Sequence, residues 1–190
     1  SAHPGAQHIL RLHAPEIARR AQPGSFAHLQ CASHLLMRRP ISIMRVDADA
    51  GWIEFLYKVL GEGTQLLAHR QVGEKLSVLG PIGRPFTLHA QKRRPLLIGG
   101  GVGIPPMIFI ADHLHRQQPN FMPLVIMGSE IPFPFQSQPS RIMVPGIPDG
   151  VIASMPLLED WGIASRLASK QGYPGCFTGY VTELARHWLH

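Results

Sequence analysis

The stretch "PLLIGGGVGIPPMIFIA", residues 95 to 111, joins an apolar strand to a helix through a run of glycines. Beyond the glycines, apolar residues recur at helical spacing at Ile104, Met107, Ile108, Ala111 and Leu114. A second apolar strand, "PLVIMGS" at residues 123 to 129, follows the helix. This order is typical of a β-α-β unit, so the second half of the chain is predicted to hold a parallel sheet.

The glycine segment has the pattern G-x-G-x-x-P, formed by Gly101, Gly103 and Pro106, where the Rossmann fingerprint has a third glycine. Glycines let the backbone approach a ligand closely, and the start of a helix favours an anion such as a pyrophosphate. Proline is well tolerated in a first helical turn. The pattern therefore favours dinucleotide binding, and a tight turn required only for packing is the alternative.

Residues 9 to 92 are predicted to form short strands separated by turns. The strands are "HILRLHAP", "SFAHLQCA", "RPISIMRVD", "GWIEFLYKVL" and "EKLSVLGPIG", and alternation is clear in "WIEFLYKV". They indicate an antiparallel barrel or sandwich. The character of the sequence changes at "KRRP", residues 92 to 95, so we predict two domains, residues 1–92 and 93–190.

The composition indicates a globular protein with a basic surface. The chain has 190 residues, 45% hydrophobic content and a formal charge of +6, which favours anionic ligands without choosing between phosphates and nucleic acid. Basic pairs such as Arg93 with Arg94 are not interleaved with aromatic residues, so nucleic-acid binding is not expected. Glycines and prolines interrupt the longest apolar stretch and the start does not resemble a signal peptide, so we expect a cytoplasmic protein without a membrane span.

Cysteine and histidine placement argues against a metal centre. Cys31 and Cys176 are the two cysteines, too few for a four-cysteine cluster, so no [2Fe-2S] cluster is expected from this chain alone. The eleven histidines include no H-E-x-x-H spacing. We predict no metal site and a reducing compartment.

Two further stretches can be interpreted in two ways. In "LLMRRPISIM", residues 35 to 44, Arg39 and Ser42 fall on opposite faces of a strand unless it bends or bulges near Pro40. The stretch is either an edge strand guarded by charge and proline or a ligand site. "GEGT", residues 61 to 64, is either a hairpin turn or a phosphate cradle.

Taken together, these stretches resemble a known family. "RPIS" at 39–42, "LYK" at 56–58, "GT" at 63–64 and "GGGVGIPP" at 99–106 are similar, in order and spacing, to the ferredoxin reductase superfamily, and within it to the dihydroorotate dehydrogenase electron-transfer subunit. The resemblance implies an antiparallel Greek-key FAD-binding barrel, followed by a Rossmann-like parallel-sheet domain that is incomplete at its C-terminus.

The resemblance also implies roles for individual residues. Arg39 would neutralise the FAD pyrophosphate and Ser42 would lie near the flavin N5, although no residue is assigned as catalytic with certainty. Further FAD contacts are implied for Pro40, Ile41, Leu56, Tyr57, Lys58, Gly63 and Thr64. NAD(P)H contacts are implied for Gly100, Gly101, Gly103 and Pro105. Glu130 either accepts a ribose hydroxyl bond, which would favour NADH, or is a solvated loop acid.

The implied function is a flavin-dependent oxidoreductase that moves electrons from NAD(P)H through FAD to a partner, such as a dihydroorotate dehydrogenase-like catalytic subunit. The alternative is a non-catalytic subunit that keeps the fold and binds flavin or nucleotide. The sequence departs from the family because it ends at His190 without a Cys-Gly-Pro type strand or a four-cysteine segment, and little precedes "HILRLHAP". A truncated chain, missing ends and a shortened relative that forms a homodimer are the explanations left open.

Overall fold

A computed structural model describes residues 1–118 and 120–189. The chain divides into two compact units, Ser1–Phe86 and Thr87–His190. The predicted boundary at residues 92 to 95 lies slightly further along the chain, just before the first strand of the second unit.

The first unit is built around a six-stranded antiparallel sheet. Its elements are β1 Ala2–His3, β2 Gln7–His13, α1 Pro15–Arg20, β3 Phe26–Leu29, β4 Arg39–Asp47, β5 Trp52–Lys58, α2 Glu62–Ala68 and β6 Val78–Ile82. The strand order β1-β2-β5-β4-β3-β6 places β2 beside β5 while β3, β4 and β5 follow one another, which is a Greek key. The predicted Greek-key antiparallel fold is confirmed.

Alternating apolar residues explain why these segments form strands. In β4, Ile41 and Ile43 are buried, while Ser42 between them is half-buried and Pro40 before them is exposed. In β5, Ile53 and Phe55 are fully buried and belong to the same core. Burial of one face fixes the register, because a slip by one residue would turn this apolar set to solvent.

The second unit contains the predicted β-α-β unit. Its elements are β7 Leu96–Gly100, a 3-10 turn Gly101–Gly103, α3 Ile104–Gln117, β8 Leu124–Gly128, β9 Gln138–Pro139, β10 Ala153–Ser154, α4 Pro156–Asp160, β11 Ala164–Ala168 and α5 Val181–Leu189. The strands β11, β8 and β7 form a parallel sheet in that order. The strands β9 and β10 pair separately.

The core of the second unit lies between the sheet and its helices. One cluster of buried residues joins the sheet to α5 and consists of Leu124, Ile126, Val151, Ala168, Leu184 and Ala185. All five residues of β8 are buried, as expected for the central strand of a parallel sheet covered on both faces. None of the helices in the described part of the chain is long and apolar enough to span a membrane.

Candidate functional site

The first candidate site lies where β4 and β5 separate. The two strands pair from Asp47↔Trp52 to Ile43↔Phe55, and the pairing stops there. Beyond this point residues 39–42 pair with β3, and residues 56–58 pair with β2. The segments "RPIS" and "LYK", which are distant in sequence, therefore form the two sides of one opening in the sheet.

Pro40 suits a position at this opening because proline has no amide hydrogen to donate across a strand pair. Residues 39–42 of β4 run in continuous register with β3, so Arg39 and Ser42 alternate between the two faces of the strand. A register shift does occur in β4, but on the β5 side between Ile43 and Arg45. The bend near Pro40 that would bring Arg39 and Ser42 to one face is therefore not provided by these strand pairs.

The structure brings Arg39 and Gly63 into contact. A Cβ atom placed on Gly63 would lie 2.8 Å from Nε of Arg39 and 3.3 Å from its Cζ. The guanidinium thus covers the first turn of α2, where backbone amides have no acceptor within the helix. Among the described residues, no carboxylate forms an ion pair with Arg39; Glu62, in the same first turn, lies instead 3.6 Å from Nε2 of His34.

The two adjacent arginines of "LLMRRPISIM" have different surroundings. Arg38 donates to the Ser77 carbonyl at 3.0 Å and to the Ser77 hydroxyl at 2.9 Å, which ties it to the loop before β6. Arg39 donates to the Met37 carbonyl at 3.1 Å and turns toward α2. Arg39 is therefore the arginine at the opening, and Arg38 holds a loop.

The interpretation of "GEGT" as a hairpin turn is wrong, because these residues begin α2. Gly61 is the N-cap residue, and the Thr64 hydroxyl accepts from the amides of Leu60 and Gly61 at 3.0 and 3.2 Å. The same hydroxyl donates to the Gly61 carbonyl at 3.0 Å. Because its bonds serve the start of the helix, the hydroxyl of Thr64 fixes the turn, and the backbone of the turn is what faces Arg39.

On the other side of the opening, Leu56 and Tyr57 are buried and Lys58 is half-buried. The Tyr57 ring stacks on His8 with centroids 5.6 Å apart. Burial, followed by the nearby Cys31, raises the pKa of Tyr57 to about 12, so its hydroxyl stays protonated at neutral pH. Burial also raises the pKa of the Cys31 thiol, against the opposing charges of Arg39 and Arg70.

The Tyr57 pKa predicts a stability change at high pH. The folded value of about 12 lies above the ordinary value of 10, so the stabilising contribution is present below pH 10 and is lost as the pH rises through 12. We expect the free energy of unfolding to fall between pH 9 and 11.5 by up to about 2 kcal/mol more in the wild type than in Tyr57→Phe. Urea unfolding followed by circular dichroism measures this, with Tyr173→Phe as the control. Equal slopes for the wild type and Tyr57→Phe would contradict it.

The second candidate site is the glycine segment between β7 and α3. A Cβ on Gly99 would lie 2.5 Å from the carbonyl oxygen of Gly103 and 2.9 Å from Cγ of Met107, so the strand can approach the helix only with glycine there. Gly101 has a φ of +52°, in the left-handed region. Gly99 was absent from the set of site residues predicted from sequence, although its place in "GGGVGIPP" marks it.

Gly100 and Gly103 are not needed for packing. A Cβ on Gly103 would meet nothing within 4 Å, and one on Gly100 only the Gly128 carbonyl at 4.0 Å. Their missing side chains leave open space beside the loop, as a close-lying ligand backbone requires. Pro105 is buried in the first turn of α3.

The amides available to an anion at this site come from the loop more than from the helix. Pro105 and Pro106 have no amide hydrogen, and the Ile104 amide donates to the Gly101 carbonyl. The α3 N-cap has no side-chain bond either. The helix therefore contributes its dipole, and the nearest N–H groups belong to the glycine segment before it.

Sequence reasoning named Glu130 at this edge of the sheet but missed Lys170 and Tyr180, which lie at the same edge. Lys170 lies two residues after β11, donates to the Tyr180 hydroxyl, and places Nζ 3.7 Å from the Tyr180 ring centroid. The Tyr180 hydroxyl bond, followed by the charges of Tyr180, Glu130 and Glu183, raises the pKa of Lys170. Glu130 lies two residues after β8 and is exposed. The position of Lys170 just after a strand is the sequence signal for this cluster, because ligands of parallel sheets bind beyond the carboxyl ends of the strands.

Comparison with a solved structure of known fold decides the architecture. The chain superposes on an NADH-dependent reduced ferredoxin-NADP oxidoreductase, solved in a study of flavin-based electron bifurcation, with a TM-score of 0.73 and 19% identity over 100% of this chain and 64% of that one. The chain has the ferredoxin reductase-like fold. The antiparallel sheet followed by a parallel sheet with helices is the order of domains in this fold.

Sequence comparison gives curated relatives that match about half of the chain. The chain is 37% identical over 109 residues to the electron transfer subunit of dihydroorotate dehydrogenase B (NAD(+)) from Desulforamulus reducens, covering 56% of this chain and 42% of that protein. It is 41% identical over 100 residues to the same subunit from Bacillus caldolyticus, covering 50% of this chain and 39% of that protein. The predicted resemblance is confirmed. The matches span less than half the length of these relatives, and no protein-family model matches the sequence.

Within residues 1–118 and 120–189 there is no group of three or more His, Cys, Asp or Glu side chains arranged to hold a metal ion.

Proposed function

We propose that this chain binds FAD and NAD(P)H and passes electrons from the nicotinamide, through the flavin, to a partner protein. The observation that carries the proposal is the Arg39 guanidinium, lying over the first turn of α2 at the opening between "RPIS" and "LYK", without a carboxylate partner among the described residues. The relatives are named as electron transfer subunits, which supports the same function.

The residues at the opening fit an FAD pyrophosphate. Arg39 and the backbone amides around Gly63 and Thr64 supply the positive charge and the donors that two phosphates need. We propose that Pro40, Ile41 and Ser42 lie along the isoalloxazine, with the Ser42 hydroxyl near N5. The remaining contacts are proposed for Leu56, Tyr57 and Lys58.

The glycine segment of the second unit fits a dinucleotide. Gly100 and Gly103 leave open space beside the loop, Gly101 provides the left-handed turn, and Pro105 fixes the start of α3. These residues would bind and orient the nicotinamide cofactor by backbone contact. When bound, the flavin supplies the two-electron chemistry, so the protein's task is positioning and it needs no histidine or cysteine as acid or base.

The first experiment is to incubate the purified chain with FAD, remove free cofactor, record the visible spectrum, and add NADH without oxygen. We expect a protein-bound flavin band that bleaches on addition of NADH. A chain that retains no flavin contradicts the proposal. A chain that retains flavin but is not reduced by NADH or NADPH supports the non-catalytic alternative.

Gly63→Ala tests the flavin site without removing a charge. The new Cβ would lie 2.8 Å from Nε of Arg39, and this flexible side chain would move while the helix stays. We expect FAD affinity to fall about tenfold, less than for loss of the guanidinium, because Arg39 is displaced but keeps its charge. The free energy of unfolding should change by less than about 1 kcal/mol. FAD fluorescence titration and urea unfolding measure the two effects.

Gly61→Ala is the matched control for Gly63→Ala. Gly61 has an extended φ of −160° and a Cβ there would meet nothing within 4 Å. It should bind FAD within about threefold of the wild type, because it leaves Arg39 in place. If the two variants lost FAD affinity equally, the proposal that Arg39 binds the FAD pyrophosphate would be wrong.

We propose a dihydroorotate dehydrogenase-like catalytic subunit as the electron acceptor, on the strength of the relatives' names. A homodimer is a second proposal, supported by β7, which pairs with β8 at one edge of the described sheet and leaves Ile98 38% exposed. A cytoplasmic location is supported by the free thiols of Cys31 and Cys176. Light scattering of the purified chain, alone and with the catalytic subunit, tests the two assemblies.

A further inference from the structure

The second unit contains a cavity that neither candidate site uses. The cavity, of about 600 Å³, is lined by residues at the amino-terminal ends of the parallel strands, including Leu124 of β8 and Ala164 of β11. We call it the amino-edge cavity. Its volume is in the range of pockets that hold small organic ligands. The glycine segment lies at the opposite, carboxyl-terminal end of the same strands, so this cavity does not depend on the proposed redox function.

The walls of the amino-edge cavity are aromatic and apolar. Trp161 and Trp188 both line it, together with Phe121, Met122 and Met143. Met122 and Met143 are 67% and 91% exposed, so the apolar wall is open to solvent on one side. Large exposed apolar residues grouped around a cavity mark a binding surface more often than a random surface feature.

The ionisable side chains that line the cavity carry positive charge or none. Of the described residues that line it, Arg94 is the permanent cation, His115 is the other ionisable side chain, and none is a carboxylate. The Arg94 guanidinium lies 5.7 Å from the Trp188 ring centroid, and the His115 ring stacks on Trp161 with centroids 5.5 Å apart. No described carboxylate forms an ion pair with Arg94, so its planar donor edge is available to an anion.

We propose that the amino-edge cavity binds a small aromatic carboxylate. The aromatic ring would occupy the space between Trp161 and Trp188, where flat apolar groups bury most surface. The carboxylate would accept two parallel bonds from Arg94, the geometry in which a guanidinium binds a carboxylate most strongly. Positive charge without acidic residues selects the anion over the corresponding neutral ligand.

The test compares 4-phenylbutyrate with its neutral counterpart, 4-phenylbutan-1-ol, in a Trp52→Phe background. Trp52 is the tryptophan of the first unit, so the remaining emission comes from Trp161 and Trp188, which both line the cavity. With excitation at 295 nm, we expect saturable changes with the acid at roughly 0.1 to 1 mM, as for a fragment-sized ligand. The alcohol should bind about tenfold more weakly, which corresponds to one charge-assisted contact.

Arg94→Gln should reduce the affinity for 4-phenylbutyrate to that for the alcohol. Arg93→Gln, which removes the adjacent charge outside the cavity lining, should leave the difference between acid and alcohol intact. Equal affinity for the acid and the alcohol would overturn the proposal, because the cavity would then be a general apolar surface. Absence of saturable binding by either, or equal effects of Arg94→Gln and Arg93→Gln, would also overturn it.

Discussion

Alanine at Gly99 is expected to destabilise the second unit by about 3 kcal/mol, the largest effect on stability that the structure predicts. Its Cβ would lie 2.5 Å from the Gly103 carbonyl oxygen, which is backbone and cannot rotate away. Either β7 or the start of α3 must shift, and both belong to the parallel β-α-β unit. Urea unfolding followed by tryptophan fluorescence in a Trp52→Phe background measures the second unit, because Trp161 and Trp188 are the remaining tryptophans.

Gly103→Ala is the matched control for Gly99→Ala. A Cβ on Gly103 meets nothing within 4 Å, and its φ of −84° is accessible to alanine. We expect its free energy of unfolding to stay within about 1 kcal/mol of the wild type. Because this methyl would enter the space proposed for the dinucleotide, the KM for NADH should rise about tenfold. Unfolding of both variants at the same urea concentration would show that the contact between Gly99 and Gly103 does not limit stability.

Glutamine at Arg39 is expected to weaken FAD binding thirty- to a hundredfold, the largest functional effect under the proposed function. A charge-assisted bond to a phosphate contributes about 2 to 3 kcal/mol. The loss should carry little structural cost, because the hydrogen bond that the Arg39 side chain makes among the described residues is the one to the Met37 carbonyl. Titration of FAD fluorescence at two ionic strengths measures the effect, and the salt dependence should be weaker in Arg39→Gln than in the wild type.

Arg38→Gln separates the charge at the opening from charge in general. It removes one unit of positive charge at the adjacent residue, together with two bonds to Ser77. We expect a stability loss of about 1 kcal/mol and FAD affinity within threefold of the wild type. If Arg38→Gln lost as much FAD affinity as Arg39→Gln, binding would depend on net charge and the assignment to Arg39 would be wrong.

Local sequence determined the elements with strong periodicity. The predicted strand "RPISIMRVD" coincides with β4, Arg39–Asp47, because Ile41 and Ile43 alternate with more exposed residues. The helix predicted after the glycines is α3, and the two strands that flank it are parallel as expected. When a strand or helix buries one apolar face, its apolar residues recur every two or every 3.6 positions, and this recurrence is visible in the sequence alone.

"GEGT" shows where local reasoning failed. A glycine pair with a threonine is compatible with both a hairpin and a helix start, and the choice depends on what the next residues contact. Here Leu67 of α2 is buried, so burial of an apolar side chain favours a helix. Once the helix forms, the Thr64 hydroxyl bonds to the amides before it.

The sequence by itself determined the order of the two sheets, the β-α-β unit and the segments that resemble ferredoxin reductases. Only the tertiary structure decided that β4 and β5 part after Ile43↔Phe55, that Arg39 and not Arg38 reaches Gly63, and that Lys170 meets Tyr180. The physical reason is the separation along the chain of the residues that interact. Periodicity acts between residues a few positions apart, whereas these contacts join side chains from distant segments, whose meeting depends on how the whole sheet packs.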